Sequence, residues 1–383
     1  MKRTKINPDL IRWAIKRSGA ELDGLKTRFP KIEQWIEGES VPTANQLEGF
    51  AKATLTPYGY LFLPQPPDES LPVPDFRTVR DRGVKRTSAA LLETIYTMQR
   101  RQEWLRDYLL EEEEDPIPFI NTITLNTDPK VAASKIREAL GMVDGWADEH
   151  PTWESALLGL RRAAESAGII IVINGIVGNN THQKLDPEEF RGFVLCDHYA
   201  PLIFINGSDA KSAQMFTLAH ELAHLWLGKD GLFNLLDMEV SSDDIERFCN
   251  RVAAEILIPT TELHACWAVD SQKKEPFHAL AKRFKVSPVV AARRSLDEGL
   301  ITKRQFFDFL SAYRDDERRK LQQRSSGGDF YRTQEGRIGR RFGLAVVRAA
   351  KQGKILYQDA YRLTGLAGKT FDQYAEGLVH RIA

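Results

Sequence analysis

A chain of 383 residues exceeds what one ordinary hydrophobic core serves, so two or three domains are expected. Hydrophobic residues at 42% and charged residues at 28% are the proportions of a globular protein, and the balance of 53 basic against 53 acidic side chains argues against a protein built mainly to bind nucleic acid or a membrane surface. No apolar run approaches the roughly 18 residues a spanning helix needs, the basic start MKRTKINPDLIRWAIKRSG lacks the apolar core of a signal peptide, and Cys196, Cys249 and Cys266 are too few and too scattered for a disulfide framework. A cytoplasmic protein is expected.

From the N-terminus, helical periodicity with short breaks covers residues 7–62 in the segments PDLIRWAIKRSG, ELDGLKTRFP, KIEQWIEGESVP and TANQLEGFAKATLTPYGYLFL. Short helices joined by tight turns are similar to the helix-turn-helix domain of phage-repressor type, and IEQWIEGESVPTANQLEGFAKA (32–53) carries the likeness. Its chemistry is poor for reading bases. Lys31 and Gln34 are accompanied by Glu33, Glu37 and Glu39, which a phosphate backbone repels. Packing or protein recognition is the favoured role of this module, and DNA is the weaker candidate partner.

A strap over 63–86 follows, its proline-rich part LPQPPDESLPVPDFRTVR reading as extended chain. A long helix is expected from about Thr87 to Leu110, then DPKVAASKIREALG and PTWESALLGLRRAAESAG as further helices, the last closed by Gly168. Glu111 to Asp115 reads as a solvated helix end. The pattern then turns strand-like in GIIIVIN (168–174), FRGFVLCD (190–197) and APLIFIN (200–206).

Directly after the third strand stands FTLAHELAHLWLG (216–228). Residues four apart on a helix lie one above the other, so His220 and His224 present their imidazoles to one point. That supplies two of the three protein ligands of a catalytic zinc and leaves the fourth position for water. Glu221, next round the helix, is placed to act as general base on that water. Met215, Leu218, Leu222 and Leu225 form one apolar stripe, with Thr217, His220, His224 and Leu227 on another; Gly228 stops the helix. Histidines concentrated on one side of a doubly buried helix fit a cleft wall better than an ordinary core.

A third ligand is expected from the helix SSDDIERFCNRVAAEILIP (241–259), capped by Ser242 or Asp243 and ended by Pro259. Ile245, Phe248 or Cys249, Val252 and Ile256 are its buried stripe. Glu246 and Asn250 share a neighbouring stripe with Ala253 and Leu257, small enough in part for close helix approach. Glu246 is the candidate ligand and Asn250 its supporting neighbour; Glu239 and Asp243 are weaker alternatives. Glu255 points away as a surface or secondary polar contact, and Cys249 reads as core.

HELAH followed about 20 residues later by ERFCNRVAAEILIP, with the strand pair RGFVLCDHYAPLIFIN before it and the helical module and proline strap at the start, resembles the ImmA/IrrE family of zinc metallopeptidases. The likeness implies an α+β fold with a zincin-like, gluzincin-type core of small sheet and HExxH helix, an all-α helix-turn-helix-like N-terminal domain, and a helical C-terminal extension. It implies Zn2+ held by His220, His224 and Glu246, with Glu221 as catalytic base. The chain departs from the family's pattern at Phe248, where many members carry a glutamate, and this leaves Glu246 as the choice. The implied organisation is a helix-turn-helix-like domain over 1–62, the strap over 63–86, a peptidase domain over 87–310 and a hinge with helical extension over 311–383. The implied activity is endoproteolysis of a regulatory protein, such as a helix-turn-helix repressor or antitoxin, restrained until triggered and serving a stress response or a mobile element.

APLIFIN is placed to form the cleft edge to which an extended substrate adds, or else a plain core strand. His198, Tyr199, His264 and His278 are available to stabilise a tetrahedral intermediate. HALAKRFKVSPVVAARRSLDEGLI (278–301) reads as a second helix-turn-helix-like segment in which Arg293 and Arg294 meet phosphate or, more simply, as scaffold. The stretch 314–343, containing SSGGD, reads as a solvated hinge, and the end carries a helical pair around YQDAYRLTGLAGKTFDQYAEGL. The competing function is a DNA-binding regulator or antitoxin-like protein on a non-catalytic metallopeptidase scaffold.

Overall fold

The computed structural model describes residues 6–69, 72–73, 87–233, 244–315 and 330–380. They divide into two compact units, one drawn from 1–72, 79–97 and 180–185, the other from 73–78, 98–179 and 186–383.

In the first unit, local chemistry sets the helix ends. α1 (Pro8–Ser18) starts with Asn7, whose side chain accepts from the Asp9 N–H, and stops at Gly19 in the left-handed region. α2 (Leu22–Arg28) and α3 (Ile32–Glu37) follow, the latter stopped by Gly38 at φ 77°. Thr43 and Gln46 form a reciprocal capping box that opens α4 (Ala44–Ala53). Ile11, Leu25, Ile32, Leu47 and an aromatic trio of Phe29, Trp35 and Phe50 build the core, the three ring centroids lying 5.8 to 6.4 Å apart. Glu33, Glu37 and Glu39 are exposed, and Glu33 pairs with Lys26 at 2.8 Å.

α5 (Ala89–Glu111) precedes α6 (Pro129–Ala139), capped by Asp128, and α7 (Trp153–Ser166), opened by a Thr152–Ser155 capping box. Then come β1 (Ile170–Asn174), β2 (Ile176–Val177), β3 (Asn180–Lys184), β4 (Gly192–Leu195) and β5 (Leu202–Asn206). α8 (Lys211–Leu227), β6 (Gly231–Phe233) and α9 (Asp244–Leu257) complete the heart of the second unit. A helical remainder follows: α10 (Thr260–Asp270), α11 (Pro276–Phe284), α12 (Pro288–Asp297), α13 (Lys303–Asp315), α14 (Phe330–Ile338), α15 (Arg340–Lys351), α16 (Tyr357–Thr364) and α17 (Lys369–His380). The fold is thus mixed α+β, mostly helical with a small sheet.

That sheet has the order β1-β5-β4-β6, with β1 parallel to β5 and the other neighbours antiparallel. Strand alternation assigns Val194 and Ile203 to the core shared with α8, while Phe193 and Phe204 stack on the other face at 5.0 Å. β5 is bonded on both edges, so APLIFIN is an interior strand and not the cleft edge considered from sequence. Its five consecutive buried residues are the pattern of a strand covered on both faces.

One further expectation is corrected, and two that offered alternatives are decided. RTQEGRIGRRFG is helical, in α14 and α15, rather than part of a hinge; residues 316–329 lie outside the described ones. Arg294 does not meet phosphate: it is buried, bonds the Ile258 carbonyl, and pairs with Glu255 and Glu298. Of the two roles expected for Glu255 it is the secondary polar contact and not the surface one: it is buried, and its carboxylate also accepts from the Thr260 N–H and hydroxyl.

Candidate metal centre

α8 is fixed at both ends before it presents any chemistry. At its start the buried Gln214 amide donates to the carbonyls of Gly207 and Asp209. At its end Gly228 takes φ 63°, and the carbonyls of Leu225 and Trp226 accept from Asn121 and Ile123 N–H groups. Phe119 stacks on Trp226 with centroids 4.0 Å apart. Every residue from Gln214 to Leu227 is buried, so the helix has core on all sides.

α9 packs against α8 and brings Glu246, on its first turn, to the two histidines. The His220 and His224 Nε2 atoms lie 3.0 Å apart. Glu246 Oε2 is 3.3 Å from the first and Oε1 is 3.2 Å from the second. Among the described residues these three form the only group of at least three His, Cys, Asp or Glu side chains converging closely enough to hold a metal ion. Asn250, one turn along α9, has its Oδ1 3.0 Å from His220 Nδ1. An amide oxygen only accepts, so Nδ1 carries the hydrogen and Nε2 turns a lone pair toward Glu246. Lone pairs of one imidazole and a carboxylate therefore face each other, an arrangement that a cation reconciles. Bonds of about 2.0–2.1 Å in a tetrahedral site put ligand atoms roughly 3.3 Å apart, so the spacing fits a zinc-sized ion.

Electrostatics follow from burial. Desolvation pushes the His220 imidazole down despite the carboxylate beside it. Burial also pushes Glu246 up, but the two imidazoles overcome it and hold that carboxyl below its usual range. Glu221 is held well above the carboxylate range by burial, with the charge of Glu246 adding to it. Neither Glu221 oxygen has a hydrogen-bond partner among the described residues.

The sequence-derived residues His220, Glu221, His224, Glu246 and Asn250 thus stand together, whereas Glu239 and Asp243 lie outside the described residues. Cys249 is buried in the core. His264 faces Glu298 at 3.6 Å and His278 packs against Phe309 and Tyr313. Two neighbours of the site were not singled out in the sequence: the 119–123 segment that holds the end of α8, and Gly192 on β4, at which a Cβ would stand 3.1 Å from Glu221 Oε1. A glycine inside the strand pattern FRGFVL was the available signal for the second.

A mostly helical α+β unit with two histidines and a glutamate converging on one point belongs to the metallopeptidase-type class. Residues 164–296 match the family described as the IrrE N-terminal-like domain, Peptidase_M78. This domain of the chain is a member of the ImmA/IrrE family. Residues 338–377 match a domain of unknown function, DUF8813. No curated protein matches the chain.

Proposed function

We propose that the protein is a zinc-dependent endopeptidase in which His220, His224 and Glu246 hold the metal, Glu221 is the general base and Asn250 orients His220. The observation that carries this reading is the convergence of three ligand atoms beside a buried carboxylate without a hydrogen-bond partner among the described residues. When bound, zinc supplies Lewis acidity that lowers the pKa of water and polarises the scissile carbonyl. Glu221 removes a proton from the attacking water as its oxygen bonds to the carbonyl carbon. It then delivers that proton to the leaving nitrogen as the C–N bond breaks. A carboxyl raised above its usual range by burial suits a group that must first accept and then donate.

The substrate we assign is a regulatory protein, such as a helix-turn-helix repressor or antitoxin, with residues 1–62 as a repressor-like recognition module. The exposed Glu33, Glu37 and Glu39 favour a protein partner over DNA. Burial supports latency: His220 and Glu221 are 0% exposed, His224 1% and Glu246 2%, so a peptide reaches them only after the chain opens. A non-catalytic scaffold accounts for none of this, because burying Glu221 without a hydrogen-bond partner among the described residues costs stability and returns nothing unless its chemistry is used.

The test is to express the parent chain and Glu221→Gln and compare new protein N-termini by mass spectrometry. Cleavages seen with the parent and absent with the variant, both chains carrying metal, are expected. Identical sets of N-termini would contradict the assignment.

A further inference from the structure

Glu221 has no hydrogen-bond donor from any described residue, yet its carboxylate occupies one place between α8 and β4. Among the described residues, packing and not hydrogen bonding holds it. β4 turns Gly192 toward α8 at that point. A methyl group on its Cα would stand 2.6 Å from Thr217 Cγ2, 2.9 Å from the Phe204 carbonyl oxygen and 3.1 Å from Glu221 Oε1. The first two distances are shorter than real Cβ contacts, and the third requires the carboxylate to give way by a few tenths of an ångström. Thr217 is one turn before Glu221 on the same helix, so the strand, the threonine methyl and the carboxylate share a single slot. Phe204 belongs to the bonded neighbour β5, so β4 cannot relieve the crowding by retreating without breaking the ladder.

We infer that Gly192 is a positioning residue for Glu221: the side chain it lacks leaves the slot in which the carboxylate is held beside His220, His224 and Glu246. This rests on the peptidase reading above. The three metal-holding side chains lie on α8 and α9 and none is among the nearest atoms to the missing Cβ, so filling the slot acts on the base and leaves metal binding alone.

The experiment compares the full chain with Gly192→Ala and with Gly192→Ala/Thr217→Ser, which removes the nearest clashing methyl. It reads zinc stoichiometry, crystal structures, and kcat and KM on a fluorogenic peptide library. Gly192→Ala is expected to bind zinc as the parent does and to show a displaced Glu221 carboxylate. Its kcat should fall about 10- to 100-fold with KM changed less than about threefold, and the added Thr217→Ser should return at least part of the loss. An unmoved Glu221 or a kcat within about twofold of the parent overturns the inference. So does loss of zinc from Gly192→Ala, or failure of both variants to fold, either of which makes the glycine a requirement of the scaffold. A parent chain that binds no zinc overturns the peptidase reading instead, one that binds zinc without cleaving any peptide is the latent form proposed above, and in either case the position of Glu221 in the Gly192→Ala structure decides the inference.

Discussion

At the scale of single residues the proposed centre separates holding a metal from using it. Glu221→Gln keeps the size of the side chain and removes the base, so metal content should stay at the parent level while turnover falls about 10²- to 10⁴-fold; equal losses of both would assign Glu221 to the ligand set. Asn250→Ala should lower metal affinity about 10- to 100-fold, read by chelator competition, because its hydrogen bond sets the His220 tautomer. An unchanged affinity would leave that bond without a role. Away from the centre, Asp270 gives a pH signature. Burial pushes its carboxyl up, but hydrogen bonds from Lys273 and Arg283 hold it below the ordinary 3.8. A depressed folded pKa contributes stability that is present above pH 3.8 and lost as pH falls through the folded value. Asp270→Asn should therefore cost about 1–3 kcal/mol near pH 7 in urea unfolding, with the gap narrowing as the solution is acidified; a gap independent of pH would contradict this. Local spacing made His220, Glu221 and His224 legible in the sequence. Glu246 was legible only as one choice among three, because its proximity depends on how α9 crosses α8, a contact between residues more than 20 positions apart.

At the scale of elements, helix boundaries depend on adjacent residues: Asn7, Thr43, Asp128 and Thr152 cap starts and Gly19, Gly38 and Gly228 end helices, and of these the stop at Gly228 was read directly from the sequence. Strand order was not. APLIFIN reads equally well as edge or interior, and only pairing with β1 and β4 together settles it. Arg294 was open between phosphate contact and scaffold for a related reason. A basic side chain on a short helix resembles a phosphate contact until the Glu255 that neutralises it, from a different helix, is in view. Arg294→Met leaves that carboxylate buried without its cation and should cost about 3–5 kcal/mol in urea unfolding, with Arg294→Met/Glu255→Leu recovering much of the loss. Equal destabilisation by single and double variants would show that the two side chains do not act as a pair.

For the molecule as a whole, the C-terminal helices complete the second unit. Among the described residues β1 pairs only with β5, and the junction of α14 and α15 at Gly339 lies against its backbone, where an added Cβ would come within 3.2 Å of the Ile171 carbonyl oxygen. Arg101 of α5 donates to the carbonyls of Arg337 and Leu363, and Arg161 of α7 donates to that of Glu335. Ending the chain at residue 329 should expose the β1 edge and these buried cations, giving an aggregating product without cooperative thermal unfolding; a soluble truncated chain that melts as the parent does would make the extension dispensable. The composition of 330–343 did not reveal this, since its arginines and glycines read as solvated chain until the groups its backbone bonds, Arg101, Arg161 and Glu165, are placed. The central claim, that this fold holds a metal for hydrolysis, is tested most directly by elemental analysis of the purified full chain beside His224→Ala and Glu246→Gln. About one zinc per chain in the parent, and far less in both variants, is the predicted result. No divalent metal in the parent even after reconstitution, or metal retained undiminished by both variants, would contradict it.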